Sequence, residues 1–363
     1  MSVDIGIIGP AKSGKTTTFS ALTSGKADTL GSAPNIGVAK IPDPRLKRLA
    51  DMLQPKRVVA AEVRYIDIGA SAKGMAKELA ISGDLLNQLG QVETLINVVR
   101  AFTDESTPLL EGSVDIERDI ASIDLELAFS DLAILERRLE RIDISLKGAK
   151  PAERQGFLRE QELLKKIKSS LEKDTPIREL KLSPEEAKAT AGYQLLSAKP
   201  LLIVVNIGEE QLSQAESLEA ELNTRYSRPN RGLLTICVKL ESELSQLDND
   251  DAEVFRAELG IKEPRAGRVI NLSFQLLGLI SFFTTVSNEV KAWPIQSGTS
   301  ALKAAGKIHS DMERGFIRAE VISYDDLIKC GSLVEARKKG LLRLEGKNYI
   351  VQDGEVITFL FNV

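Results

Sequence analysis

Cysteine, histidine and aromatic side chains are scarce in this 363-residue chain, which holds two cysteines, one histidine and 5% aromatic residues. Cys237 and Cys330 lie far apart in sequence. Neither a disulfide framework nor a cysteine-built metal cluster can be assembled from them, which fits a reducing compartment. The lone His309 argues against a histidine-rich metal site or a conventional Ser-His-Asp triad. No apolar run approaches the ~18 residues of a membrane span. The N-terminus lacks a basic segment followed by a long apolar stretch and a small-residue cleavage site, so no secretory leader is expected. The charge is nearly balanced, 48 basic against 52 acidic residues for a net of -4, so no global basic field draws the molecule onto nucleic acid. These absences leave a soluble, cytoplasmic protein with no membrane partner. It is longer than one ordinary core serves, so several domains are expected.

What the chain does contain is concentrated near its start, in "DIGIIGPAKSGKTTTFSALTSGK". An apolar run, Ile5 to Ile8, meets the octet Gly9-Pro10-Ala11-Lys12-Ser13-Gly14-Lys15-Thr16, followed by Thr17 and a helix-like stretch. The octet satisfies G-x-x-x-x-G-K-[ST], and the order strand, loop, helix is the context such a phosphate-binding loop requires. Gly9 and Gly14 allow backbone conformations that turn successive N–H groups toward an anion. The helix that follows adds the positive end of its dipole. Lys15 is placed between the β- and γ-phosphates, and the Thr16 hydroxyl to coordinate Mg²⁺. Within the loop, the N–H groups of Lys12 and Ser13 matter more than their side chains.

Short apolar runs at Ile5–Ile8, Val63–Ile68, Thr94–Val99, Leu201–Asn206 and Leu233–Val238 alternate with helical stretches. The alternation predicts an α/β fold, a doubly wound and mostly parallel sheet. Between them, Leu125, Ala128, Leu132, Leu135, Leu139, Ile142 and Leu146 recur at alternating steps of three and four, the seam of a coiled coil. Gly148-Ala149-Lys150-Pro151 breaks it, and Phe157, Leu164, Ile167 and Leu171 line a second stretch. Two long helices in a projecting antiparallel hairpin are expected. From about Phe282 the sequence reads as short strands, with tight turns at Glu345-Gly346 and Asp353-Gly354, hence a small β-rich domain.

The sequence resembles the YchF/Obg-like ATPases, a branch of the translation-factor GTPases. "APNIGVAKIPDPRLKRLADMLQPKRVV" is similar to the stretch after their first switch, and "VDIERDIASIDLELAFSDLAILERRLER" to the entry into their helical insertion. "SFFTTVSNEVKAWPIQSGTSALKAAGKIHSDMERGFIRAEVISYDDL" and "YIVQDGEVITFLFNV" resemble their C-terminal TGS domain. The resemblance implies a P-loop G domain over residues 1–124 and 197–280, a coiled-coil insertion over 125–196 and a β-grasp-like TGS domain over 281–363. It also implies ribosomes or ribosomal RNA as a partner, and a monomer is expected. Guanine presents a ring N–H and an amine, both of which the Asp of Asn-Lys-x-Asp accepts. Here the strand ends in Asn206-Ile207-Gly208-Glu209, with Ile207 at the lysine position and the longer Glu209 at that of the carboxylate. The Asn-x-x-Glu pattern resembles the family that prefers ATP over GTP, and Cys237-Val238-Lys239 resembles its second base-side loop. Asn206, Ile207, Glu209, Cys237 and Val238 are therefore the candidate base-side residues. Lys15 and Asp67 are the candidate catalytic residues, and Thr16 and Asp67 the candidate magnesium-binding ones.

The switches depart from the family pattern. Gly31 stands where a metal-completing threonine belongs, with Thr29 and Ser32 beside it. The second switch reads Asp67-Ile68-Gly69-Ala70, with Ala70 at the position of the γ-phosphate-sensing glycine and Ser71 where a large apolar residue belongs. Asn97 replaces a histidine. A slow nucleotide hydrolase and a sensor that binds nucleotide with negligible turnover both fit these residues. A metabolic kinase fits less well, since no acceptor pocket can be read. His309 and Trp293 are read as structural, and the basic run "EARKKGLLRLEGK" as either an RNA contact or a solvated face.

Overall fold

The computed structural model describes residues 3–23, 35–68, 83–104, 113–261, 263–286 and 288–362. The chain begins β1 (Asp4–Ile8), α1 (Lys15–Thr23), β2 (Asn35–Lys40), α2 (Pro44–Leu53), β3 (Arg57–Val59) and β4 (Glu62–Asp67). It continues through α3 (Gly83–Gln91), β5 (Thr94–Arg100), α4 (Ile116–Gly148), α5 (Pro151–Leu171) and α6 (Pro184–Thr190). Next come β6 (Leu201–Asn206), α7 (Ala215–Tyr226), β7 (Arg231–Ile236), α8 (Val238–Leu244), α9 (Asn249–Glu258) and α10 (Arg265–Leu276). The last part holds β8 (Leu279–Val286), β9 (Glu289–Gln296), α11 (Ala301–Ile308), α12 (Ser310–Arg314) and β10 (Phe316–Ile322). It closes with α13 (Tyr324–Cys330), α14 (Leu333–Lys338), β11 (Arg343–Glu345) and β12 (Val356–Phe361). Contacts divide these into two units, residues 1–38 with 64–269, and 39–63 with 270–363.

The first unit is built on a sheet of order β2-β4-β1-β5-β6-β7, in which β1 pairs with β4 and β5, β5 with β6, and β6 with β7, all parallel. Every residue of β5 and β6 is buried, the mark of central parallel strands covered on both faces, which is why they read as continuous apolar runs. The chain leaves β1 toward β4 on one side and later toward β5 on the other. That reversal opens a crevice at the C-terminal end of β1, where doubly wound sheets bind ligands. The last predicted strand is offset from its apolar run by two residues, starting at Arg231. β7 stops at Ile236, Cys237 caps a helix, and Val238 opens it.

Helix α4 carries 33 residues, about 50 Å at 1.5 Å each. Asp115 caps it by accepting from Arg118 N at 3.0 Å. Ala149 and Lys150 connect it to α5, which starts on Pro151, a residue suited to the first helical position. Glu136 meets Lys168 far from the connection while Asp143 meets Gln161 nearer to it, so the pair is antiparallel. The seam differs from its sequence reading at one end. Ile120, Ile123 and Leu127 enter the core beside the sheet, while Leu135 and Ile142 pack with Leu164, Ile167 and Leu171. Ala128, Leu132, Leu139 and Leu146 flank that second cluster, whereas Leu125 is 44% exposed. The helix serves two cores at different rotational phases, and the seven-residue pattern describes the distal one alone.

The second unit has a mixed sheet of order β11-β10-β12-β8-β9-β3, its β3 supplied by the segment 39–63. Arg57 pairs with Glu289 and Val59 with Lys291 in parallel register. Phe282, Phe316, Ala319, Val321, Ile357 and Phe359 face a core closed by Ala301, Ala304 and Ala305 of α11. The expected strands and the Asp353-Gly354 turn are present, with Gly354 at φ 82°. The β-rich reading misses four helices. Two of them start at serines whose hydroxyls accept from the N–H three residues on, Ser323 from Asp326 and Ser332 from Glu335. Those capping signals were present in the sequence. Trp293 packs against this core and donates from Nε1 to Thr284 Oγ1 at 3.0 Å. His309 caps α12, its Nδ1 accepting from Asp311 N.

Candidate functional site

Four strand ends bring the site together. Gly9 follows β1, Asp67 ends β4, Asn206 ends β6 and Cys237 follows β7. Gly9 takes φ 142°, where a Cβ would collide with the Val98 carbonyl oxygen, and Gly14 takes φ 100°, where a Cβ would collide with Asn206 Nδ2. No other residue type fits either position. Lys12 also takes a left-handed φ of 63°, so three of the eight loop residues leave the ordinary backbone region. The outcome is a tight loop leading into the N-terminus of α1, whose first turn carries no acidic residue.

Lys15 folds back over the loop, its Nζ donating to Gly9 O at 2.9 Å and Pro10 O at 2.7 Å. Burial lowers its pKa below the ordinary lysine value, partly opposed by the charge of Asp67. The Thr16 hydroxyl donates to Asp67 Oδ2 at 2.8 Å. Asp67 is fully buried while Thr16 faces solvent. A hydroxyl and a carboxylate, both hard oxygen donors meeting at an open face, suit an Mg²⁺ ion that keeps much of its water. Ala11, Lys12 and Thr17 are exposed along the same rim, Pro10 is half-buried, and Ser13 is fully buried.

On the base side, Asn206 acts as a strut. Its Nδ2 donates to Ser13 O at 2.9 Å, and its Oδ1 accepts from Val238 N at 3.2 Å. One carboxamide thus ties the phosphate loop to the turn between β7 and α8. Ile207, 2% exposed, belongs to the sheet core, and its N–H donates to Ile236 O at 2.9 Å. Cys237 and Val238 are buried too, and burial raises the Cys237 thiol pKa. Glu209 is exposed and pairs with Lys239 Nζ at 2.9 Å, placing a closed ion pair at the rim. Of the base-side candidates, then, only Glu209 presents its side chain to solvent.

Asn97 sits on β5 beside Gly9, fully buried, and neither atom of its amide finds a hydrogen-bond partner among the described residues. Thr29, Gly31, Ser32, Ala70 and Ser71 lie outside the described residues.

Residues 279–362 match a family described as "YchF-GTPase_C: Protein of unknown function (DUF933)". Over its full length the chain is 36% identical to the Ribosome-binding ATPase YchF of Bacillus subtilis, covering all of both proteins. The chain belongs to the YchF family. The Ribosome-binding ATPase YchF of Escherichia coli O157:H7 is 34% identical, again over all of both proteins. The solved structure of the Schizosaccharomyces pombe YchF GTPase superposes with a TM-score of 0.88 at 29% identity, covering 99% of this chain and 98% of that one. In this YchF-family fold the long hairpin and the mixed C-terminal sheet described above accompany the P-loop unit. The sequence had marked the loop and Asn206. It had not marked the Asn206 strut or the Glu209–Lys239 pair, and Lys239, two residues beyond Cys237, was the one available sign of the latter.

Proposed function

We propose that this chain is a slow, Mg²⁺-dependent ATPase that works on the ribosome in the cytoplasm. The observation that carries the reading is the convergence of Lys15 with the Thr16–Asp67 pair at the end of β1, in a chain alike over its whole length to relatives named ribosome-binding ATPases. The ammonium of Lys15 neutralises phosphate charge, and the loop N–H groups fix the triphosphate. Thr16 and Asp67 would hold Mg²⁺, which would neutralise triphosphate charge when bound. ATP preference follows from the rim. Guanine readout needs a free carboxylate, and here Glu209 is engaged by Lys239 while Ile207 is withdrawn into the core. Slow turnover follows from the residue types Gly31, Ala70 and Asn97, which replace a metal-completing threonine, a γ-phosphate-sensing glycine and a histidine, since phosphoryl transfer depends almost wholly on positioning.

The distal hairpin supports the ribosomal part of the reading. From Arg137 to Arg159 there are seven lysines and arginines against three acidic residues, in a chain of net charge -4. Such a local basic end suits ribosomal RNA. The test is calorimetric titration with ATP and GTP in Mg²⁺, paired with phosphate release with and without purified ribosomes. ATP is expected to bind more tightly, and release to run near 10⁻⁴ to 10⁻³ s⁻¹ on the order of an unassisted switch GTPase, rising with ribosomes. Equal or tighter GTP binding would overturn the base assignment. Turnover undetectable even with ribosomes would assign the chain to the sensor class.

A further inference from the structure

Helix α9 lies between α8, whose Val238 N–H holds Asn206, and α10, whose Arg265 N–H donates to Glu241 Oε1 at 2.8 Å. Both neighbours are anchored, and α9 spans the gap with an unusual surface. Leu247 just before it is 41% exposed, Val254 58%, Phe255 49% and Leu259 just after it 47%. Ala252 faces inward. On a 3.6-residue repeat, Val254 and Phe255 flank Asp251 and Glu258 on one side, while Leu259, just past the helix, follows the stripe of Ala252. Single exposed apolar residues are ordinary, but four within thirteen positions on one short segment form a patch of the kind that marks an interaction site.

The charge on this segment selects the partner. Asp248, Asp250, Asp251, Glu253 and Glu258 face one basic residue, Arg256, between Asp248 and Leu259. Phosphate backbones are repelled by such a surface, whereas a basic protein is attracted, and apolar contact at the centre with charge at the rim is the common anatomy of an interface. We infer that the outer face of α9 docks a basic protein, which on the ribosome is a ribosomal protein and not RNA. This rests on the ribosomal reading above.

The experiment replaces Phe255 with a photo-crosslinking phenylalanine in the full chain, bound to ribosomes purified from Bacillus subtilis, with a second crosslinker at Ile144 in the hairpin as a control. Crosslinks from position 255 to a basic ribosomal protein are expected. Val254→Ser with Phe255→Ser, and separately Asp250→Lys with Asp251→Lys, should each weaken ribosome binding tenfold or more while leaving ATP titration and melting temperature unchanged. Crosslinks to ribosomal RNA, or to a second copy of this chain, would overturn the inference. So would binding by both double variants at the wild-type affinity, or silence at 255 while 144 crosslinks. A chain that fails to co-sediment with ribosomes at all would sink the ribosomal reading itself, and this inference with it.

Discussion

The Asn206 carboxamide donates through Nδ2 to Ser13 O and accepts through Oδ1 from Val238 N. Truncation to alanine leaves two buried backbone groups without partners. Asn206→Ala should cost about 1–3 kcal/mol in urea unfolding. It should also weaken ATP, since the phosphate loop loses its tie to α8. Asn206→Asp keeps the acceptor but sets a carboxylate against the Ser13 carbonyl, so it should recover stability poorly. Lys15 gives a second expectation at this scale. Its pKa is lowered in the free protein, and a bound triphosphate favours the ammonium, so binding takes up a proton once pH exceeds the free value. ATP affinity should hold at neutral pH and fall as pH rises, with the limb starting below 10.5, the usual lysine value. An affinity flat to pH 10.5 in titrations would refute this. The residues of the loop were legible because G-x-x-x-x-G-K-[ST] is a local pattern. The strut was not, because its partners are backbone atoms brought near by the parallel register of β6 with β7, which no spacing encodes.

Along α4, Asp131 marks where the helix passes from one core to the other. It is fully buried, and accepts from Leu196 N at 2.7 Å, Ser197 N at 2.8 Å and Ser197 Oγ at 2.6 Å. Burial pushes its carboxyl up to about 6, against the downward pull of those donors and of Arg178. The folded value lies above the free value of 3.8, so this group's contribution is fully present below pH 3.8 and is lost as pH rises through 6. Replacing it with asparagine should remove that fall. Wild-type stability minus Asp131→Asn stability should therefore decline between those two pH values, by at most about 1.4 kcal/mol per pH unit. A difference that rises with pH would contradict the assignment. Leu135→Ala, in the hairpin core, should cost about 2–5 kcal/mol, while Leu125→Ala should cost well under 1. Both leucines fit the same heptad pattern. The sequence shows the period of a helix clearly, but the phase at which each turn meets its neighbour belongs to the tertiary packing.

For the molecule as a whole, the phosphate loop, the Asn206 strut and Asp67 all belong to the first unit. A ligand held there stabilises that unit by mass action, about 2.7 kcal/mol at a hundred times its dissociation constant. On adding ATP and Mg²⁺, amide hydrogen exchange should slow in β1, α1, β6 and α8, and remain unchanged in β8 to β12. Slowing spread evenly over both units would contradict this. The mixed sheet carries a consequence for synthesis. Its strand β3 is made early, as residues 57–59, and its pairing strand β9 arrives some 230 residues later, at 289–296. Strand β3 must therefore wait for its partner while the entire hairpin and most of the first unit emerge. A fragment of residues 270–363 would likewise expose β9 as an open edge, prone to pair with other chains. Light scattering should detect its association, and joining 39–63 to it through a flexible linker should suppress it. The first unit is complete once residue 269 has been made, whereas the second, begun at residue 39, waits for the last strands of the chain.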